Sequence, residues 1–156
     1  MKATIILLLT ALLTGSMSFG QGPDLMAEKT KISSVCDQYS EAWATEDIEK
    51  FSALFAHTDD LVIFDGSSTY NGWEAWKNRL ETSFPTAQDV KVSFRDHKIQ
   101  INPTGDAALL TATEDVAYVE NGKPFSFKGM RVTWILVKMD GKWTIIHGHW
   151  SVSVKD

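Results

Sequence analysis

The sequence predicts an α+β domain, with three helices near the N-terminus packed on one face of a strongly curved, mainly antiparallel sheet. Three observations predict it. Apolar residues recur at helical spacing as far as Phe84, interrupted by one short strand. From residue 88 onward the apolar period changes to two. Four long alternating runs are then separated by Pro103-Thr-Gly105, Asn121-Gly122 and Asp140-Gly141, and Asn-Gly and Asp-Gly are strong hairpin signals.

Residues 26–45 read as the first helix, with Ile32, Val35, Cys36, Tyr39, Ala42 and Trp43 on its apolar stripe. Asp47 suits the N-cap of a second helix, whose apolar face is Ile48, Phe51, Leu54 and Phe55. Residues 61–65 read as a short strand and 66–71 as a polar loop. Asn71 and Glu74 have the spacing of a capping box for a third helix carrying Trp73, Trp76, Leu80 and Phe84 on one face. Pro85 stops it. The strands are expected at 90–101, 106–119, 125–139 and 142–153. In the first, the apolar phase slips from Val92 and Phe94 to Ile99 and Ile101, which predicts a bulge near Arg95–Lys98 and a bent sheet. A bent sheet closed by helices encloses a cavity.

The chain has 156 residues, 44% hydrophobic and 22% charged, which fits one packed domain and not a disordered chain. A net charge of −5 with no basic stripe argues against nucleic acid. A single Cys excludes an internal disulfide framework and a multi-Cys zinc site. Cys36 is left as a buried small apolar side chain, a free thiol or half of an inter-chain bridge. The first residues carry Lys2, a short apolar run from Ile5 to Leu13, and small Ser18 and Gly20 before Gln21. That is the pattern of a signal peptide over residues 1–20, too short to span a bilayer. The expected product is exported, periplasmic or secreted, and free of the membrane after cleavage. Residues 21–27 then read as a flexible leader and 28–156 as a single domain.

The last strand carries the most chemistry. Strict alternation puts Trp143, Ile145, His147, His149 and Ser151 on one face. His147 and His149 are expected to form a polar floor in the cavity, or to be held structurally. The same alternation leaves Met130, Val132, Trp134, Leu136, Ile146, Trp150 and Val152 on the convex face, a candidate homodimer surface. Arg131, mid-strand among apolar neighbours, needs Glu114, Asp115 or an anionic ligand as partner. Asp65 ends an apolar strand, where burial would raise its pKa toward that of a general base. Its alternative role is to cap the Gly66 turn. Tyr39 offers a hydroxyl from the inward helix stripe, and Trp43, Phe64 and Trp76 are candidate aromatic lining. A metal pair at His147 and His149 would need a third ligand, and the spacing of His57, His97, Asp65 and Glu114 recommends none. No cofactor fingerprint or nucleophile elbow is present.

The segment YSEAWATEDIEKFSALFAHTDDLVIFDG and the tail MRVTWILVKMDGKWTIIHGHWS together resemble the nuclear transport factor 2-like superfamily, in its SnoaL-like branch. The tail is also similar to the association domain of calcium/calmodulin-dependent protein kinase II. The resemblance spans residues 28–153 and implies a cone-shaped α+β barrel, a hydrophobic cavity and frequent homodimers. Compared with ketosteroid isomerases, Tyr39 falls near the oxyanion-hole Tyr and Asp65 near the proton-shuttling Asp. Their second oxyanion acid has no counterpart in Arg131-Val132-Thr133. In the kinase association domain the residues matching Arg131, His147 and His149 line a pocket.

Three functions follow as expectations. One is binding of a small apolar or anionic molecule by Arg131, His147, His149, Tyr39, Trp43, Phe64 and Trp76. Another is proton transfer next to a carbonyl by Asp65, Tyr39 and His147. A dimerisation module is the third.

Overall fold

Asp24 decides where the first helix begins. In the computed structural model, which describes residues 22–152, its carboxylate accepts the backbone N–H groups of Met26 and Ala27 at 3.1 Å each. Helix α1 therefore spans Leu25–Ala44 and takes in part of the expected leader. The expected signal segment lies outside the described residues. Asp47 caps α2, Ile48–Ser52, by accepting the Lys50 N–H at 2.9 Å.

Strand β1, Val62–Asp65, is followed by β2, Ser68–Asn71, where the sequence reads as a loop. Ser68-Thr-Tyr-Asn has too little apolar alternation to reveal a strand, and it forms only by pairing with β1. Asn71 is thereby the ladder partner of Val62 and does not cap α3, Trp73–Ser83. Gly72 occupies the N-cap position with no side-chain cap. The four long strands are β3, Ala87–Ile101, β4, Ala107–Glu120, β5, Lys123–Met139, and β6, Lys142–Ser151.

The sheet order is β2-β1-β6-β5-β4-β3, with β1 and β6 parallel and all other neighbours antiparallel. The sheet stays open at β2 and β3 and curves over α1, which packs mainly on β3. The register of β3 shifts at Arg95/Lys98, as the phase slip predicts, and again at Gln88/Lys91. Further shifts fall at Glu114/Val116 and Ile135/Leu136, and each adds bend.

The shift at Ile135/Leu136 inverts an expectation. Ile135 pairs with His147 and Leu136 with Ile145, so Ile146 is an extra residue in β6. Trp143 and Ile145 face inward before it, and Gly148 and Trp150 face inward after it. One inserted residue moves every later side chain to the other face. Val132, Trp134, Leu136 and Trp150, expected on a convex dimer surface, are instead buried against the helices. Met130 packs on the same core, Ile146 is half-buried and Val152 is exposed. Cys36 is buried among them, its thiol pushed up to about 12 by burial, so it offers no sulfur to a second chain.

The N-terminal end of α1 is tied to the β5–β6 hairpin through Glu28. Its carboxylate accepts the Trp143 indole N–H at 2.7 Å and pairs with Lys31 and Lys138 at 2.9 Å each. Hydrogen bonds from Lys138, then Lys31 and Trp143, hold its pKa down at about 2.

Candidate functional site

A cavity of about 340 Å³ opens between α1, α3 and the inner face of the sheet. Three of its walls follow from local sequence. Tyr39 lies on the buried stripe of α1, with Trp43 one turn on. Trp76 and Leu80 lie on the buried face of α3. Asp65 is the last residue of β1, and the chain turns away at Gly66. The sheet supplies the fourth wall with Glu114, Met130 and Trp150.

Four rings pack against Tyr39. Phe51 lies 4.8 Å away, Trp134 5.3 Å, Phe94 5.5 Å and Trp150 6.1 Å. Burial, with the charge of Glu114 adding to it, raises the Tyr39 pKa well above the usual phenol value. The hydroxyl therefore stays protonated and can only serve as a neutral donor or acceptor.

Glu114 is the group the sequence reading did not assign to catalysis. It follows Leu110 and Ala112 at period two on the inner face of β4, so its phase was the available signal. It is 3% exposed, and its Oε2 has no hydrogen-bond partner among the described residues. Burial pushes its carboxyl up to about 8. The Trp150 indole N–H lowers it in part without closing a hydrogen bond, and the charges of Asp65 and Asp115 raise it further. Near neutral pH Glu114 is a protonated acid in an aromatic wall. Asp65 is half-buried, and burial raises its pKa while Arg79 opposes the rise. No side-chain hydrogen bond among the described residues ties Asp65 to the Gly66 turn.

The structure separates the remaining candidates from this cavity. His147 and His149 face the opposite side of the sheet, where Phe64 meets their rings edge-on at 5.5 and 5.8 Å. Phe64 is exposed there, as is Ile135 beside His147. Arg131 is also on this outer face, and among the described residues its guanidinium reaches only the Val152 carbonyl, at 3.5 Å. Glu114 cannot partner it, because the two project from opposite faces of the sheet. Asp115 is taken by the Gly129 N–H at 2.7 Å and by Arg95 at 3.5 Å. The expected Arg/His floor is thus replaced by Glu114, Asp65 and Tyr39, with Trp43, Trp76 and Trp150 around them. Among the described residues no cluster of three metal-type ligands forms.

These features define an α+β cone whose cavity sets the carboxyl groups of Asp65 and Glu114, with Glu120 as a third, among aromatic walls. The chain belongs to the SnoaL-like domain family, whose model matches residues 32–155. No curated protein matches it. Among solved structures it is similar to a nuclear transport factor 2-like superfamily protein from Salmonella enterica, at 19% identity, TM-score 0.75, 84% of this chain and 94% of that one. It is also similar to a proposed scytalone dehydratase from Novosphingobium aromaticivorans, at 16% identity and TM-score 0.75, covering 83% and 87% of the two chains. A third is a proposed calcium/calmodulin dependent protein kinase II association domain from Xanthomonas campestris, at 23% identity and TM-score 0.68, covering 80% and 87%. At these identities the likeness concerns the fold.

Proposed function

We propose that the cavity binds a small, mostly apolar carbonyl compound and moves a proton at the carbon next to that carbonyl. The observation that carries this reading is Glu114, a buried carboxyl with a partnerless oxygen, in the same wall system as Asp65 and Tyr39. Asp65 is the base: its raised pKa makes it a better proton acceptor than a solvated aspartate. The protonated Glu114 and the Tyr39 hydroxyl donate to the oxygen, which gains negative charge as the proton leaves carbon. Returning the proton from Asp65 to another carbon gives isomerisation; passing it instead to a hydroxyl on the next carbon, whose C–O bond breaks as the new C=C forms, releases water and gives dehydration. Similarity to a proposed dehydratase is compatible with this class at the level of fold.

The test is exchange of the methyl protons of acetophenone in D2O, followed by NMR. The folded protein is expected to accelerate exchange. Asp65→Asn should slow it by at least about 10²-fold, and Glu114→Leu by about 10²-fold. Binding with no acceleration would reassign the cavity to a module that binds without turnover.

Export remains a separate proposal, resting on Lys2, the apolar run and the small residues before Gln21. An intact Met1 in the mature protein, by mass spectrometry, would overturn it. A homodimer is also proposed, now on the outer face where Phe64 and Ile135 are exposed on either side of β6. Light scattering that shows a monomer at high concentration would overturn that one.

A further inference from the structure

The polar groups of the cavity are arranged by depth. Glu114 sits deep, at 3% exposure. Arg79 sits at the open end: it follows Trp76 by three residues on α3 and is exposed, whereas Trp76 and Leu80 are buried. It is the one basic side chain among the described residues that line the cavity. Its guanidinium makes no hydrogen bond or ion pair with any described residue. The nearby rim acid, Glu120, is engaged by the Thr86 hydroxyl at 3.4 Å. The Arg79 charge nevertheless acts on Asp65, Tyr39 and Tyr118, so it lies against the cavity and not away from it.

An unpaired guanidinium is always charged, and its fork of N–H donors matches a carboxylate. The inner end offers a different chemistry, a neutral acid suited to a carbonyl oxygen. Most of the remaining lining is apolar, with Val92, Met130 and Trp150 on the sheet and Trp76 on α3. We propose that the cavity selects a keto acid: a molecule whose carbonyl oxygen lies at Glu114 and whose carboxylate, at the other end of a flat apolar body, is seated on Arg79. This rests on the reading of the cavity given above and names its substrate class. The selecting contact is a charge-assisted fork at the rim, made only by a ligand that carries an anion at the required end.

The probes are 4-acetylbenzoate, its methyl ester and 4-acetylbenzylamine, which share the ketone and the ring and differ in the charge at the far end. Calorimetric titration of the folded protein is expected to show the acid binding at least about tenfold tighter than the ester, with the amine weakest. Arg79→Gln should remove that preference by weakening the acid alone. Arg79→Lys should keep part of it, because it retains the charge and loses the fork. Arg79 is exposed, so neither change disturbs the core. Equal binding of acid and ester would overturn the keto-acid selection and leave the cavity reading standing. So would tighter binding of the amine, or a preference that survives Arg79→Gln. Failure of all three probes to bind would overturn both.

Discussion

Glu28 and Glu114 are both buried glutamates, at 8% and 3% exposure, the first on helix α1 and the second on strand β4. Glu28 is surrounded by donors. It holds two lysines and an indole N–H, and those bonds take its pKa down to about 2. Glu114 has an oxygen with no partner among the described residues, and burial takes it up to about 8. The difference separates a joint from a site. A buried charge that is fully paired holds elements together, and a buried acid left unpaired is available to something that enters the cavity.

The largest effect expected from this contrast is on the pH dependence of stability. In the unfolded chain Glu114 ionises near 4.5, while in the fold it keeps its proton up to about 8. The folded state therefore binds more protons between those values, and stability must fall as pH rises through that window. The slope from this one group is at most about 1.4 kcal/mol per pH unit. Glu114→Gln should flatten that decline in denaturant melts taken from pH 5 to 9; an unchanged slope would mean that Glu114 is solvated or paired.

Glu28 gives the opposite sign. Its folded pKa is depressed from 4.5 to about 2, so its contribution is present above pH 4.5 and disappears as pH falls toward 2. Glu28→Gln should lower Tm at neutral pH by several degrees, since Lys138 and Trp143 lose an ionised partner, and the loss should shrink as the pH is taken down toward 2.

Gly148→Ala sharpens the comparison from the other side. An added Cβ would run into the Trp150 ring, with Cη2 at 2.7 Å, and would meet Ile63 Cδ1 at 3.1 Å. Overpacking of this kind costs about 1–3 kcal/mol. It should also displace the indole that lowers the Glu114 pKa, so the midpoint of the Glu114 titration should move upward, read from carboxyl chemical shifts. The smallest effects are expected from His147→Ala and His149→Ala. Both residues are on the outer face, and each change should alter stability by no more than about 0.5 kcal/mol and leave acetophenone binding in the cavity unaffected. Loss of that binding in either variant would contradict the face assignment.

Much of the cavity was legible before folding. Tyr39, Trp43 and Trp76 fall on helix stripes whose inward side the apolar spacing defines, and Asp65 ends a strand that is apolar up to Phe64. Unbroken alternation along β6 puts His147 and His149 on the inner face, and only the pairing of Ile135 with His147 and Leu136 with Ile145 reveals the extra residue that sends them outward. Arg131 is outward for a different reason: over residues 131–136 β5 alternates without a break, and its inward phase is Val132, Trp134 and Leu136. Glu114 was in phase with Leu110 and Ala112, and that phase was a better guide than its apparent suitability as a partner for Arg131.

The sequence by itself determined the order of helices and strands apart from β2, the hairpin turns at Asn121-Gly122 and Asp140-Gly141, and the bend in β3. These are local: caps, turn residues and apolar period act within a few neighbours. Tertiary structure alone decided which face of β5 and β6 looks into the cavity and which of the acids is left without a partner. Register shifts arise between strands, and desolvation arises from walls contributed by α1, α3, β1 and the long strands together, so neither is written in any one segment.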